Sequence, residues 1–449
     1  MQRELDDLRE RISLLTVRQG LCQLQLAEQG RDTTVWVTEN GGLCIALLLI
    51  VFEGPNDGTI RDVKEQEVYL GEFARYPAER WSAYIEGSLR ALQVIVESLG
   101  GDLDVMLPVD VFTHARVLDD PTLVSADDFA AVLGDPARLA AINLEIFEED
   151  WRDTLTACGL AAHGTAVRAL LRPSLRLSLD RDWSEEDDDA DEGRVVGESR
   201  VGGCPDLPPD LPWPEAHGRP LMFVAQFDLA KISRYPAARE LPGHGLLSFF
   251  YDPHGEDDMS HAVRVLHLAE TAALAPRKPP PGGERLAYHG VRVKRERELP
   301  GIASEYFFHA LLPAEQVQPW YERLAAGDGA DPPIDADALR RLIQTMGDRD
   351  GERPMHQLLG HPDSIQGDPY LDVEVTTNPG GWDGWRDGTP ESFRLRDRAL
   401  RWRLLLQIDA TQDDELLLNQ DGGYFYFWIP DDALAAHDWS RARGSLQCH

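Results

Sequence analysis

Two short apolar segments carry the polar residues that are best placed for chemistry. The segment LMFVAQFDL contains Gln226 and Asp228, and the segment WRLLLQIDA contains Gln407 and Asp409 at the same spacing. Residues two apart lie on one face of a β-strand, because side chains alternate along it. Two amides and two carboxylates around one cleft could bind a polar ligand or a cation, so these four residues are candidate ligand-binding positions.

The same four positions also have a structural interpretation. The chain before the first pair is rich in proline from residue 205 to 214. Proline fixes φ and lacks an amide donor, so this proline-rich arm is predicted to lie outside the sheet as a rigid extended chain. Buried irregular backbone needs hydrogen-bond partners, which glutamine and aspartate can supply. We favour this interpretation, because a structural joint would recur in both places, whereas a catalytic site is usually needed once.

Several aromatic residues are also candidates for binding. Trp213 is predicted to anchor the proline-rich arm, and Trp428 lies in the aromatic strand YFYFW; both are added to the candidate ligand-binding positions. The loop NPGGWDGWRDGTP carries Trp382 and Trp385, which could present a stacking surface for a sugar or a peptide. Most of these rings are predicted to belong to the core, with an exposed Trp382 or Trp385 as the exception.

No catalytic, metal-binding or cofactor-binding motif is found. The chain lacks GxSxG, GxxxxGK[ST], HExxH and a GxGxxG after a strand, and Cys204 has no assignable partner base. The densest group of metal-ligand types, between His254 and His261, follows a proline in a predicted loop. His356 and His361 could ligate a metal, but packing is the favoured interpretation. We therefore predict no catalytic residue, no metal and no cofactor.

The two glutamine-bearing strands belong to a longer repeated pattern. Each is followed by a glycine-led aromatic strand, GHGLLSFFYD in the first case and DGGYFYFWIPDD in the second. The segments GGCPDLP and LGHPDSIQGD precede them and correspond loosely. Such a recurrence indicates an internal duplication, with halves at about 199–310 and 355–445.

The remaining pattern predicts two domains of the α+β class. Residues 1–164 combine strand-like segments such as LCIALLLIVF with predicted helices after Pro77, near Ser125 and at Pro136, so they form an N-terminal α+β domain of unknown type. Residues 165–449 form the duplicated domain, with mainly antiparallel strands. The like-charged stretch at about 182–198 is predicted to be an acidic loop.

The composition limits the environment and the partners. The 449 residues include 78 acidic and 44 basic ones, for a net charge of −34. This charge repels nucleic acid and anionic membranes and steers basic protein partners, although it could serve solubility alone. The five cysteines are scattered and form no CxxC pair, there is no secretory signal, and the longest apolar run is too short to span a bilayer. These features predict a cytoplasmic protein.

Taken together, the segments from about residue 165 to 445 resemble the YwqG-like family of bacterial proteins. Members of that family carry a GG-x-P-x-LP arm with a WP pair, a Q-[IF]-D strand, a G-L-x-FF strand, an H-x-LLG-x-P segment and a Q-x-D plus F-W ending. The matching residues are Gly202, Gly203, Pro205, Leu207, Pro208, Trp213, Pro214, Gln226, Asp228, Gly245, Phe249, Phe250, His356, Leu358, Leu359, Gly360, Pro362, Gln366, Gly367, Gln407, Asp409, Phe427 and Trp428.

The resemblance implies a duplicated α+β fold without an established activity. Some relatives are encoded beside bacterial toxins, which suggests an immunity protein. The leading hypothesis is therefore a non-catalytic protein that binds another protein with a basic surface, in the form of an immunity protein for a toxin. The alternatives are a small-ligand-binding protein or enzyme that uses the glutamine and aspartate cleft, and a scaffold whose N-terminal domain performs the recognition.

Overall fold

The computed structural model describes the second half of the chain more completely than the first. It describes strands at 32–37, 42–52 and 60–72, single positions between 79 and 91, and residues 116–181 and 195–448. The last range has short gaps at 234, 253–261, 272, 302–303, 313, 327–334, 347–355 and 411–422. The chain divides into two compact units, Met1–Asp153 and Thr154–His449. The boundary predicted after residue 164 lies slightly beyond this division and stays a prediction.

The first unit contains an antiparallel sheet in the order β1-β2-β3. Its strands are β1 (Asp32–Val37), β2 (Gly42–Phe52) and β3 (Ile60–Glu72). β2 contains the apolar segment LCIALLLIVF, which predicts a strand, and β1 overlaps the alternating segment TTVWVTENGG. Val37 pairs with Leu43. The remaining patterns of this part lie outside the described residues: the helical spacing of Leu5, Leu8, Ile12 and Leu15, the strand-like segment LCQLQLAEQG, and the Asn40-Gly41 pair, which predicts a hairpin turn.

The two helices predicted near Ser125 and Pro136 are present. They are α1 (Ala126–Leu133) and α2 (Pro136–Cys158). Ser125 caps α1, because its hydroxyl accepts from the Asp128 amide at 3.2 Å and the Asp128 carboxylate accepts from the Ser125 amide at 2.9 Å. This reciprocal pair satisfies two amides that a helix start leaves without partners. The positions described between 79 and 91 are helical, as the pattern after Pro77 predicts.

The second unit is built on one large sheet. Its strands are β4 (Arg172–Arg181), β5 (Arg200–Val201), β9 (Met222–Asp228), β10 (Leu246–Tyr251), β11 (Val263–Leu268), β13 (His289–Glu298), β14 (Gln357–Leu359), β15 (Trp402–Asp409), β16 (Tyr424–Pro430) and β17 (Arg443–Gln447). Two short two-stranded sheets lie apart from it: β6 (Asp206–Leu207) with β12 (Ala275–Pro276), and β7 (Glu215–Ala216) with β8 (Arg219–Pro220).

Helices connect these strands. They are α3 (Gly164–Ala169), α4 (Leu229–Ile232), α5 (Glu305–Leu311), α6 (Ala314–Ala325), α7 (Ala336–Met346), α8 (Pro369–Thr376), α9 (Pro390–Ala399) and α10 (Asp431–Ala435). Together with the sheet, they confirm the α+β class. The strands bearing the two glutamines, β9 and β15, and the aromatic strands after them, β10 and β16, all lie where the sequence predicts them.

The strand order of the large sheet places corresponding strands at the same distance from its two edges. It runs β11-β10-β9-β5-β13-β4-β14-β15-β16-β17, and every neighbouring pair is antiparallel. Thus β9 and β10 on one side correspond to β15 and β16 on the other. The segment LRPSLRLSL becomes β4 at the centre of the sheet, where it pairs with β13 along its whole length.

Both sides of the sheet carry a β-bulge at the same place. Val224 is the extra residue of β9 opposite β10, and Leu405 is the extra residue of β15 opposite β16. Each lies two positions before the glutamine of its strand, and both side chains are fully buried. A bulge bends a strand and increases its twist. These bulges therefore help to curve the two sides of the sheet equally.

The curvature closes the sheet around an aromatic and aliphatic core. Phe249 of β10 and Phe427 of β16 lie 5.1 Å apart between ring centroids, and Tyr251 and Phe425 lie 4.2 Å apart. Six strands separate β10 from β16 in the order of the sheet, so these contacts require the two ends to face each other. The inner face of the sheet thus holds the main core, to which α4 and α10 also contribute, and the outer face packs against the proline-rich arm and other helices.

Candidate functional site

Gln226 binds the proline-rich arm instead of facing solvent. Its side chain is fully buried, and its Oε1 accepts from the Asp206 amide at 2.9 Å. Its Nε2 donates to the Asp206 carboxylate and to the Glu198 carbonyl, both at 2.8 Å. We call this contact between Gln226 and Asp206 the first clip. It supplies hydrogen-bond partners to buried backbone of the arm, including the Asp206 amide and the Glu198 carbonyl.

An arginine completes the first clip. Arg200, whose side chain is 3% exposed, pairs with the Asp206 carboxylate at 2.8 Å. The same guanidinium donates to the carbonyl of Cys204 at 2.6 Å and 3.1 Å. A buried carboxylate is strongly unfavourable unless it is paired and hydrogen-bonded. Arg200 and Gln226 together provide both conditions for Asp206.

Gln407 makes the corresponding contact on the other side of the sheet. Its Oε1 accepts from the Asp363 amide at 2.9 Å, and its Nε2 donates to the Asp363 carboxylate at 2.9 Å. We call this contact the second clip. Arg176 donates to the same carboxylate at 3.1 Å and to Glu298 at 2.8 Å. Again an aspartate that follows a proline is held by a glutamine and an arginine.

The two clips differ in the strand that supplies the cation. Arg200 lies on β5 opposite Gln226, whereas Gln357 occupies the matching position on β14 opposite Gln407. Gln357 cannot neutralise Asp363, but its amide donates to the His361 carbonyl, as Arg200 does to that of Cys204. The charge comes from Arg176 on the next strand. Each clip therefore has one cation, placed differently.

A left-handed turn precedes each aspartate. In the first clip it is formed by Gly202 and Gly203, with φ of 69° and 72°, and in the second by Leu359 and Gly360, with φ of 63° and 80°. A Cβ at position 202 would lie 1.7 Å from the carbonyl oxygen of Ala287. Glycine is therefore required there, while Leu359 adopts a conformation that is unfavourable for its type.

The two predicted aspartates lie at the ends of their strands. Asp228 caps α4 by accepting from the Ala230 amide at 3.0 Å, and its own amide donates to the Ser199 hydroxyl. Asp409 is 2% exposed, and its amide donates to His356 Nδ1 at 3.1 Å. Both contacts order local backbone. The sequence interpretation that the pairs recur for structural reasons agrees with these bonds.

The structure does not bring the two predicted pairs onto neighbouring strands. β5, β13, β4 and β14 lie between β9 and β15 in the sheet. Each glutamine binds its own arm on the outer face. The shared cleft that was predicted from Gln226, Asp228, Gln407 and Asp409 has no described contact in its support, and ligand binding by these residues stays a prediction.

Trp213 and Trp428 are both core residues. Trp213 is 9% exposed, donates to the Leu221 carbonyl at 2.8 Å and packs edge-on against Phe250. It anchors the arm, as predicted. Trp428 is fully buried and donates to the Ser445 hydroxyl at 2.8 Å. Both rings are enclosed by the protein's own side chains.

A buried polar network under the helices was not predicted from the sequence. The Arg172 guanidinium donates to the hydroxyls of Tyr306 at 2.7 Å and of Tyr370 at 3.2 Å. His361 Nδ1 lies 2.7 Å from the Tyr370 hydroxyl, and its Nε2 lies 2.8 Å from the Leu170 carbonyl. Because a carbonyl only accepts, Nε2 carries the proton. His361 is thus fixed by packing and hydrogen bonds, which is the favoured interpretation from the sequence.

Two carboxyl groups of this region lie in a poorly solvated environment. Asp368 accepts from the Glu305 and Tyr370 amides at 2.9 Å and 3.1 Å, and burial raises its pKa to about 7. Burial also raises the pKa of Glu305, while the Arg396 guanidinium bound to it opposes that shift. Desolvation disfavours the charged form of an acid. These groups hold the starts of α5 and α8 together.

No group of at least three histidine, cysteine, aspartate or glutamate side chains in the described part could hold a metal ion. The residues between His254 and His261, which the sequence offers as the densest ligand-like group, lie outside that part. Among the described helices, none is both long and apolar enough to cross a membrane.

The two clip aspartates, which the sequence did not single out as candidates, share one signal. Asp206 and Asp363, the aspartates of the two clips, each follow a proline in the segments CPD and HPD. The correspondence of GGCPDLP with LGHPDSIQGD already aligned them. Their arginine partners gave no comparable signal, because Arg200 and Arg176 occupy positions that do not correspond.

The fold and the clips define an α+β protein in which two arms are fastened to the outer face of a curved antiparallel sheet. Residues 199–448, more than half of the 449-residue chain, match the family described as a domain of unknown function, DUF1963. The chain belongs to this family. The match begins next to Arg200 of the first clip and includes Gln407 and Asp363 of the second, but not the cation Arg176. No curated protein matches the chain.

Proposed function

We propose that the protein is a non-catalytic binding protein whose partner is another protein with a basic surface. The observation that carries this proposal is the excess of 78 acidic over 44 basic residues. The side chains of Arg200, Arg176 and Arg396 are 3%, 13% and 12% exposed and bind carboxylates inside the fold. Cations that lie in the interior contribute little to the surface.

Other arginines are exposed, such as Arg394 at 68% and Arg340 at 55%, but acidic residues outnumber basic ones by 34, and several of them extend into solvent. Asp337, Asp397 and Asp432 are 72%, 70% and 70% exposed. With a net charge of −34, such a surface produces a negative potential that raises the association rate of basic partners and repels acidic ones. Electrostatic complementarity thus supports a basic protein partner.

The finer relationships of the chain support the same proposal. We infer that the domain arose by internal duplication, since the clips, bulges and strand order correspond on both sides of the sheet. We also infer that it is a YwqG-like protein of the cytoplasm. The occurrence of YwqG-like relatives beside toxins makes an immunity protein, which binds and blocks a toxin, the specific form of this proposal.

The test uses the full chain and candidate basic proteins from its own host, including any toxin encoded next to it. The expected result is a stable complex whose association rate falls steeply as salt is raised from low to physiological concentration, because screening shortens the range of surface charge. Repeated failure to recover a complex would refute the proposal. A complex whose association rate is independent of salt would refute the role of charge.

Two alternatives remain as proposals with their own tests. For a small-ligand site, substitution of both Asp228 and Asp409 by asparagine should abolish ligand binding and leave thermal stability nearly unchanged. For a scaffold whose N-terminal domain performs recognition, truncation near residue 165 should remove partner binding. No described contact favours either alternative over the binding of a basic protein.

A further inference from the structure

The loop between α8 and α9 carries two tryptophans beside two aspartates. Its sequence GWDGWRDG places Trp382 before Asp383 and Trp385 two residues before Asp387. The rings of Trp382 and Trp385 lie 5.4 Å apart between centroids and are inclined by 58°. The loop therefore repeats the same pair of chemical groups, an indole and a carboxylate.

One of these pairs already binds a guanidinium from the protein itself. Arg396 lies over the Trp385 ring, 5.2 Å from its centroid, and donates to the Asp387 carboxylate at 3.1 Å. Tyr321 covers the same guanidinium at 4.5 Å, and Glu305 binds it as well. A cation over an indole face with a carboxylate at its edge is a favourable arrangement. This pair is filled and half-buried.

The other pair is open. Trp382 is 37% exposed, one of few large apolar residues with such exposure in the described chain. Asp383 is exposed, and among the residues that the structure describes its carboxylate makes no hydrogen bond or ion pair. The pair thus offers an indole and a carboxylate, as Trp385 and Asp387 do, although its two residues are adjacent instead of two apart, and no described cation binds its carboxylate.

The loop that presents the open pair is ordered by its own hydrogen bonds. The Gly384 amide donates to the Gly380 carbonyl at 2.8 Å, and the Trp385 amide donates to that of Trp382 at 3.1 Å. Arg386 adds a bond of 2.9 Å to the Asp383 carbonyl. A site held in one conformation loses less entropy on binding than a mobile one.

We propose that Trp382 and Asp383 bind an arginine side chain presented by the protein partner. This proposal rests on the proposed function and names its contact point. Arginine fits better than other groups because its planar guanidinium can stack on an indole and bind a carboxylate at once. Tryptophan and arginine are also the residue types that most often dominate binding energy at interfaces. The filled pair at Arg396 serves as the internal template.

The first experiment needs no partner. The full chain is titrated with N-acetyl-arginine amide while the indole resonance of Trp382, assigned by its loss in Trp382→Phe, is followed by NMR. We expect a saturable shift that N-acetyl-citrulline amide, which has a similar shape without the charge, does not produce. An absent shift, or an equal shift with the citrulline compound, would overturn the proposal.

Two charge-removing variants locate the carboxylate that acts. Asp383→Asn should lower the affinity for N-acetyl-arginine amide by about threefold to fivefold, which is the effect of losing one exposed ion pair. Glu391→Gln removes the same charge from a residue that already pairs with Arg394 at 2.7 Å, and it should leave binding unchanged. Equal weakening in both variants would mean that the general field of the protein, and not Asp383, attracts the ligand.

The second experiment separates this proposal from the proposed function. Trp382→Ala, which removes an exposed ring, should leave the melting temperature nearly unchanged and accelerate dissociation of a captured basic partner by at least about tenfold. If the wild-type chain binds a partner and the variant binds it equally, the contact point is wrong and the proposed function stands. If the wild-type chain binds no partner, the proposed function fails, while the arginine titration still decides the site.

Discussion

Replacement of Gln226 by methionine tests whether the first clip is a structural joint. Methionine has a similar length but no amide, so the variant loses the bonds to the Asp206 amide, the Asp206 carboxylate and the Glu198 carbonyl. Each buried group left without a partner costs about 1–3 kcal/mol, and loss of the bond to the charged carboxylate about 1.5–3 kcal/mol. Partial relaxation and better burial of the methionine reduce the sum, so we expect a loss of about 4 kcal/mol.

This loss is large compared with the usual stability of a folded protein, about 5–15 kcal/mol. The assay is urea denaturation of the full chain followed by tryptophan fluorescence, in which the midpoint should fall while the slope stays the same. Gln366→Met serves as the matched control, because Gln366 is exposed and its side chain is not part of either clip. A loss below about 1 kcal/mol for Gln226→Met would refute the structural joint and favour a ligand-binding role.

Two further predictions concern a glycine and a buried acid. Gly202→Ala should destabilise the protein by more than about 3 kcal/mol, because the added Cβ would lie 1.7 Å from the Ala287 oxygen. Gly197 also has a positive φ, but no atom lies within 4 Å of a Cβ added there. Gly197→Ala should therefore lower the free energy of unfolding by only about 1–2 kcal/mol in the same denaturation assay. Burial raises the pKa of Asp372 from 3.8 to about 6, against the hydrogen bond from Gln447. The folded state therefore keeps a proton that the unfolded state loses, and stability falls as the pH rises from about 4 to 6 and then stays level. Asp372→Asn should remove this fall and gain up to about 3 kcal/mol at pH 8 but nothing at pH 3.5; equal effects at both pH values would contradict the assignment.

The elements of the second unit could be predicted well where the sequence pattern is local. The apolar residues around a Gln-x-Asp pair predict strands β9 and β15. The capping pattern of Ser125 and Asp128 predicts the start of helix α1. In each case a few consecutive residues determine the element. The recurrence of the pattern also indicated which strands correspond.

The central strands and the cations of the clips could not be predicted in the same way. β13 carries alternating charges around Val291 and Val293, which suggest a solvated strand or turn, yet it lies at the centre of the sheet beside β4. Arg176 reaches Asp363 across nearly two hundred positions of the chain. Such contacts depend on the sheet order, which no local pattern specifies.

The exposed tryptophan illustrates an intermediate case. The glycine-rich loop suggested that Trp382 or Trp385 could be exposed, and Trp382 is. The sequence did not indicate that the Arg396 guanidinium would lie over the Trp385 ring, because this contact depends on how α9 packs against the loop. Composition identified the residue types, and packing decided which of them remain accessible.

The position of β4 has a consequence for synthesis of the protein on the ribosome. β4 precedes all other strands of the large sheet in the chain, yet one of its neighbours is β14, through pairs such as Arg176 with Gln357. Its other neighbour, β13, also lies far along the chain. During translation, β4 therefore lacks its two hydrogen-bonded neighbours until β13, and later β14, have left the exit tunnel of the ribosome. Loop closure over such separations slows folding, so β4 is exposed to chaperones and to misassembly while the segment between it and its neighbours is translated.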